Sequence, residues 1–164
     1  MPRRKPPTDK NNEAGDQHSR EEAESGNEPP DRRDYILIIE DNPLNMKLFR
    51  DLLRAQGYHV LEATDGLAGL DLARAETPDL ILLDVHLPDV SGLEIAVKLK
   101  TDQRTRDIPI VVITASVLPQ TEQSALASGC DAFLRKPIAI SEFRATIESL
   151  LQDRRIRSGS EPTN

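Results

Sequence analysis

The sequence predicts an α/β domain built on a doubly wound, five-stranded parallel sheet with five helices. Two observations carry this prediction. Between residues 35 and 151, short apolar runs alternate with amphipathic stretches, which is the pattern of a parallel sheet covered on both faces. One of these runs, Leu80 to Leu83, is wholly apolar, as expected for a strand that is buried on both sides.

The predicted strands share short length and apolar or β-branched composition. In chain order they are Tyr35–Ile39, His59–Ala63, Leu80–Leu83, Ile110–Ile113 and Ala132–Leu134.

A helix is predicted after each strand because apolar residues recur at helical spacing. The first begins at the cap Asn42 and Pro43 and ends before Gly57, and the others are Gly66–Ala75, Gly92–Lys100, Thr121–Ser128 and Ile140–Leu151. The inward faces are expected to include Leu44, Leu48, Phe49, Leu52 and Leu53 in the first helix, and Ile140, Phe143, Ile147, Leu150 and Leu151 in the last.

Both ends of the chain have the composition of unstructured segments. Residues 1–34 hold three apolar residues against sixteen charged residues and five prolines, which is too little apolar surface to offset the entropy of ordering. Residues 152–164 have Ile156 as their only apolar residue. We therefore expect a disordered tail over 1–34, one domain over 35–151 and a flexible tail over 152–164.

Composition excludes several classes of protein. The net charge of −7 disfavours direct binding to nucleic acid or to an anionic membrane surface, because phosphate recognition needs a basic face. The single cysteine, Cys130, leaves no internal disulfide and no thiolate metal cluster, and is expected to be a small buried or semi-buried side chain. Because a single cysteine gives no sign of an oxidising compartment, and no apolar stretch is long enough for a membrane span, the protein is expected to be cytoplasmic.

Polar side chains gather where the predicted strands end. They are Glu40 and Asp41 after the first strand, Asp84 after the third, Thr114 after the fourth and Lys136 after the fifth. In a doubly wound sheet these ends form the ligand-binding edge. Carboxylates that meet there repel each other unless a cation neutralises them, and an all-oxygen set suits Mg²⁺. An aspartate in such a site can take a phosphoryl group as an acyl phosphate, and Asp84 is the central candidate.

Four motifs, in this order along the chain, resemble the receiver domain of bacterial two-component response regulators, which has the CheY-like, flavodoxin-like fold. They are Ile38-Ile39-Glu40-Asp41-Asn42, Leu82-Leu83-Asp84-Val85-His86-Leu87-Pro88 followed by Gly92, Val112-Ile113-Thr114-Ala115, and Phe133-Leu134-Arg135-Lys136-Pro137. The first of them and the helix after it are also similar to a branch of single-domain cell-cycle regulators within that family.

The resemblance implies a role for each matching residue. Asp84 would accept phosphate from a histidine kinase or a histidine phosphotransfer protein, and would hold Mg²⁺ together with Glu40 and Asp41. Lys136 would pair with the phosphoryl oxygens, and the Lys136-Pro137 bond is a candidate for the cis form.

Thr114 and Phe133 would form the switch that follows phosphorylation. The Thr114 hydroxyl would move toward the phosphate and Phe133 would turn inward behind it. This movement would remodel the face made by the fourth helix, fifth strand and fifth helix, where a downstream protein would bind.

His86 and Ser116 lie two residues after Asp84 and Thr114, positions that tune dephosphorylation in the family. For His86 two interpretations stay open, a gate at the mouth of the site and a general base.

Two classes of function remain for the whole chain. The first is a phosphorylation-dependent signalling module, not an enzyme, whose output is protein binding. The alternative is a pseudo-receiver or scaffold that binds its partners independently of phosphorylation. An aspartate-nucleophile phosphatase is disfavoured because His86 stands where an acid is needed, and a flavin carrier because Glu40 and Asp41 would repel its phosphate.

Overall fold

A computed structural model describes residues 34–159, in which five strands and five helices alternate along the chain. The strands are β1 (Tyr35–Ile39), β2 (His59–Ala63), β3 (Leu80–Asp84), β4 (Ile110–Thr114) and β5 (Ala132–Arg135). The helices are α1 (Pro43–Ala55), α2 (Gly66–Glu76), α3 (Gly92–Thr101), α4 (Pro119–Ala127) and α5 (Ile140–Gly159).

The five strands form one parallel sheet in the order β2-β1-β3-β4-β5. The register pairs Ile38 of β1 with Leu82 of β3, and Leu82 in turn with Val111 of β4. The order of the strands reverses between β1 and β3, which makes their carboxyl ends the expected place for a ligand. The predicted doubly wound α/β fold is therefore confirmed.

Alternate residues of each central strand enter opposite cores, because successive side chains point to opposite faces of a sheet. Ile36 and Ile38 pack with α1 and α5, whereas Leu37 and Ile39 pack with α2, α3 and α4. Both faces of β3 and β4 are buried, so the apolar runs are explained by burial on both sides.

Helix α1 begins as its sequence predicts, with the side chain of Asn42 accepting hydrogen bonds from the amides of Leu44 and Asn45. The predicted inward face is partly wrong. Phe49 and Leu53 are buried, but Leu44 is 77% exposed and Leu48 is 51% exposed. The helix contacts only one side of the sheet, so its buried stripe is narrower than its apolar stripe.

Helix α4 begins at Pro119 rather than at the predicted Thr121. Proline is suited to the first turn because its fixed φ matches the helix and its missing N–H would have no partner there.

The prediction for the carboxyl-terminal end is wrong over residues 152–159, because α5 continues eight residues past Leu151. Arg154 donates a hydrogen bond to the carbonyl oxygen of Pro78 at 3.0 Å, and Arg155 pairs with Asp34. These polar contacts with distant parts of the chain replace the apolar contacts that the segment lacks. Ile140, predicted to face inward, is 51% exposed.

Asp34 also belongs to the folded part, since its carbonyl oxygen accepts a hydrogen bond from the amide of His59. The remainder of the predicted disordered tail, residues 1–33, and the last five residues, 160–164, lie outside the described residues. Between residues 34 and 159, no helix has both the length and the apolar character that crossing a bilayer requires.

Candidate phosphoacceptor site

The residues predicted to form the site occupy the carboxyl edge of the sheet. Asp84 and Thr114 are the last residues of β3 and β4, Glu40 and Asp41 follow β1, and Lys136 follows β5. Parallel strands all end at one edge, so four segments far apart in the chain converge there.

Three carboxylates form the centre of the site. Glu40, Asp41 and Asp84 can each offer one oxygen atom such that the three atoms lie within 4.8 Å of one another. Glu40 and Asp84 are buried whereas Asp41 is exposed. This all-oxygen set, open to solvent through Asp41, fits a hard divalent cation that keeps some of its water ligands.

The ammonium group of Lys136 lies against two of these acids. Its Nζ atom is 2.8 Å from Asp84 Oδ2 and 3.3 Å from Glu40 Oε2. Burial alone would lower the pKa of Lys136, but the hydrogen bond to Asp84 and the charges of Asp84 and Glu40 outweigh it and raise that pKa. One ammonium against three carboxylates leaves excess negative charge, which a divalent cation would balance.

Glu40 is the most perturbed acid of the site. Burial, and then its hydrogen bond with Asp84, raises the pKa of Glu40 from 4.5 to about 7. The amide of Asn42, which donates to Glu40 Oε1 at 3.0 Å, acts in the opposite direction. The Glu40 carboxyl group is therefore harder to ionise than that of a solvent-exposed glutamate.

Both oxygens of Asp84 have a partner. Oδ1 accepts a hydrogen bond from the backbone amide of His86 at 2.8 Å, and Oδ2 accepts one from Lys136. The orientation of the carboxylate is therefore set by the loop after β3 on one side and by the segment after β5 on the other. The Lys136-Pro137 peptide bond is cis, the form that the family resemblance implies.

Close packing also holds the loop after β3 against the site. A Cβ atom on Gly92 would lie 2.0 Å from the carbonyl oxygen of Asp84. Only glycine allows the first residue of α3 to lie so close to the backbone of Asp84, because any side chain at this position would displace that backbone.

Thr114 and Ser116 form a hydrogen-bonded chain that leads from the site to α4. The buried hydroxyl oxygen of Thr114 accepts a bond from the amide of Ser116 at 3.0 Å. The Ser116 hydroxyl lies 2.9 Å from the hydroxyl of Thr121 in α4. A displacement of Thr114 would therefore be transmitted to the start of α4.

The other two predicted residues lie at the periphery. His86 is exposed at the mouth of the site. Phe133 is partly buried against the core on the α2–α4 side, with the guanidinium of Arg135 5.8 Å from its ring centroid. Cys130 is buried, as predicted.

Two features of this edge were missed by reasoning from sequence. One is a groove of about 470 Å³ beside Lys136, lined by residues of α1 and of the segment leading into α5, among them Leu48, Ile138 and Ile140. The other is Asp89, which binds the start of α2 from the loop after β3. No local sequence pattern indicates either feature, because each is formed by segments that meet only in the folded chain.

Residues 36–148 match the family described as the response regulator receiver domain. The chain belongs to this family, and it is therefore a receiver domain of the phosphoryl-accepting response regulators. Its resemblance to the family, noted from four short motifs, is confirmed over residues 36–148.

Named relatives narrow the position of the chain within the family. The polar-differentiation response regulator DivK of Brucella ovis is 48% identical over 118 residues, which are 72% of this chain and 96% of that protein. DivK of Brucella melitensis biotype 1 shows the same identity and coverage.

Solved structures agree with the fold. The CheY-like receiver domain protein of Methanospirillum hungatei superimposes with a TM-score of 0.72 at 24% identity, covering 76% of this chain and 98% of that one. The receiver domain of sensor histidine kinase PA1611 from Pseudomonas aeruginosa, with magnesium coordinated in its active-site cleft, gives 0.69 at 28% identity, covering 73% and 98%.

Proposed function

We propose that Asp84 accepts a phosphoryl group from the phosphohistidine of a sensor histidine kinase or a histidine phosphotransfer protein. The observation that carries this proposal is the placement of the Asp84 carboxylate, held at 2.8 Å by both the His86 amide and the Lys136 ammonium. In the transfer the nitrogen–phosphorus bond of the donor breaks and an oxygen–phosphorus bond to Asp84 forms. The imidazole of the donor then leaves with its electron pair and takes a proton from solvent.

Glu40, Asp41 and Asp84 are the residues that would hold Mg²⁺. Their oxygens have the spacing and chemistry that this cation needs, and bound Mg²⁺ would supply positive charge to the oxygens of the phosphoryl group. Lys136 would pair with a further phosphoryl oxygen once Asp84 no longer holds it. In this arrangement the three carboxylates would hold the cation, and Lys136 would balance part of the negative charge of the incoming phosphoryl group.

Thr114 and Phe133 would carry the signal outward. The Thr114 hydroxyl would give up its present bond with the Ser116 amide and turn toward the phosphoryl group, and Phe133 would move into the space behind it. The consequence would appear on the α4–β5–α5 face, where Val117 and Leu118, just before α4, and Leu126, within α4, are exposed. A downstream protein would bind this apolar surface in one state of the switch.

His86 and Ser116 would set the lifetime of the acyl phosphate. His86 lies at the mouth of the site, where it can control the approach of water, and the Ser116 amide competes for the Thr114 hydroxyl. The position of His86 favours the gate over the general base.

The likeness to DivK supports a single-domain regulator that acts in cell-cycle or polarity control. In this role the protein is recognised by partners in the cytoplasm, binds no nucleic acid directly, does not insert into membranes and does not turn over a separate substrate.

The test is intact-mass spectrometry after exposure to acetyl phosphate, with and without Mg²⁺. We expect a magnesium-dependent gain of one phosphate that hydroxylamine removes, and no gain in Asp84→Asn. The matched control is Asp71→Asn, which changes an exposed aspartate of α2 and should leave the gain intact. A folded parent protein that gains no phosphate would refute the proposal and favour a pseudo-receiver that binds partners constitutively.

A further inference from the structure

The loop between β3 and α3, residues 85–91, is bound to a helix that belongs to another part of the chain. Oδ1 of Asp89 accepts a hydrogen bond from the amide of Gly66 at 2.8 Å, and Oδ2 accepts one from the amide of Leu67 at 2.9 Å. These are the first two residues of α2. The carboxylate thus satisfies two amides that have no partner within the helix, and its charge suits that end of the helix dipole.

The contact is closely fitted. A Cβ atom on Gly66 would lie 3.3 Å from Asp89 Oδ1 and 2.9 Å from the side chain of Ile95 in α3. The two backbone hydrogen bonds lower the pKa of Asp89, so the carboxylate stays ionised at neutral pH.

Helix α2 has its own cap, so it does not need Asp89 in order to start. Asp65 accepts a hydrogen bond from the amide of Ala68 at 2.7 Å. At the other end of the helix, Arg74 pairs with Asp102 at 2.8 Å, which ties α2 to the end of α3. Helix α2 is therefore an anchor that is held independently, and Asp89 attaches the loop to it.

The same loop touches the phosphoacceptor directly. Its base is closed by a hydrogen bond from the Gly92 amide to the Val85 carbonyl at 2.9 Å. One residue further, the His86 amide donates to Asp84 Oδ1. Leu87 and Val90 pack on the core, but apolar contacts have no direction and permit the loop to shift, whereas the two hydrogen bonds of Asp89 fix its position.

We propose that Asp89 is a positioning residue for phosphorylation, which orients the Asp84 carboxylate by holding the loop that carries the His86 amide. This inference rests on the proposed function of Asp84. With the loop released, the His86 amide no longer fixes Oδ1, and the nucleophile spends less time aligned with the phosphorus atom.

The chain offers a matched pair of variants. Asp89→Ala removes a cap of α2 and releases the loop, whereas Asp65→Ala removes a cap of the same helix and leaves the loop attached. Asp89→Asn keeps one acceptor oxygen and should have an intermediate effect. Two quantities are measured in each full-length protein: the rate of phosphate uptake from acetyl phosphate by intact mass, and the hydrogen-exchange rate of the His86 amide.

We expect Asp89→Ala to slow phosphate uptake roughly three- to tenfold, because a small misplacement of a reacting group has an effect of at least this size. The His86 amide should exchange faster in this variant, while Asp65→Ala matches the parent in both measurements. Equal effects of Asp89→Ala and Asp65→Ala, or no effect of either, would overturn the inference.

Failure of the proposed function is recognised separately. In that case the parent protein itself takes up no phosphate, and exchange at His86 still decides whether Asp89 holds the loop. If Asp89→Ala does not fold, Asp89→Asn provides the same comparison against Asp65→Asn.

Discussion

Replacing Glu40 with glutamine should stabilise the protein above neutral pH, because it removes a buried charge. The Glu40 side chain is 2% exposed. Burial, followed by its hydrogen bond with Asp84, raises its pKa from 4.5 to about 7. Glutamine has nearly the same shape, retains an acceptor for the Asn42 amide and stays neutral at every pH.

The sign follows from linkage between proton binding and folding. An acid whose pKa is higher in the folded state stabilises that state fully below the unfolded pKa, and this stability is lost as pH rises through the folded pKa. For Glu40 the window runs from 4.5 to about 7. At 1.36 kcal/mol per pKa unit, the full loss is roughly 3 kcal/mol, of which about 2 kcal/mol falls between pH 5 and pH 8.

The assay is urea unfolding at pH 5 and pH 8 without divalent cations. Circular dichroism is the suitable signal, because the chain has no tryptophan. We expect the free energy of unfolding of Glu40→Gln, relative to that of the parent, to be about 2 kcal/mol higher at pH 8 than at pH 5, which means a more stable variant at pH 8. Adding Mg²⁺ at pH 8 should stabilise the parent more than the variant, since ligand binding stabilises the folded state that holds it.

The matched control is Glu76→Gln, which changes an exposed acid at the end of α2. It should show no comparable gain. A stability difference between Glu40→Gln and the parent that is the same at both pH values would refute the reasoning, because it would mean that the Glu40 charge costs nothing in the folded protein.

Two further predictions concern the core and the last helix. Phe143 is 1% exposed and stacks on Phe49 with ring centroids 5.6 Å apart. Phe143→Ala should therefore lower the free energy of unfolding, measured by urea titration, by about 3–5 kcal/mol. A loss under about 1 kcal/mol would contradict this packing. Ending the chain after Leu151 removes the bond from Arg154 to the Pro78 carbonyl and the exposed pair between Arg155 and Asp34. We expect a loss of about 1 kcal/mol, and an unchanged unfolding midpoint would show that residues 152–159 add nothing to the fold.

Local patterns in the sequence predicted most of the fold. Each of the ten elements overlaps its predicted range, because strands buried on two sides need continuous apolar runs and helices on a sheet need an apolar stripe. The candidate site followed from one rule of topology. Once the strands are parallel, the residues at the carboxyl ends of β1, β3 and β5 must share an edge, so the sequence contained enough information to bring Glu40, Asp84 and Lys136 together.

The errors arose where the outcome depends on a distant partner. Leu44 and Leu48 lie at the same helical spacing as Phe49, so all three belong to the apolar stripe of α1. The sequence of α1 alone does not determine how much of this stripe the sheet covers. The segment 152–159 is polar and has no apolar stripe, yet it is helical, and its Arg154 and Arg155 bind partners at Pro78 and Asp34.

By itself, the sequence determined the class of fold, the order of the elements and the types of side chain at the edge of the sheet, because these depend on contacts between near neighbours and on periodic burial. Only the tertiary structure decided the pKa values, the hydrogen-bond partners and the side-chain orientations on which the chemistry of the site depends. Examples are the raised pKa of Glu40, the two hydrogen-bond partners of Asp84 and the hydrogen bonds between Asp89 and the start of α2. They arise from groups that lie up to about one hundred residues apart in the chain. Their distances in space, and the water that burial removes from around them, exist only once the chain has folded.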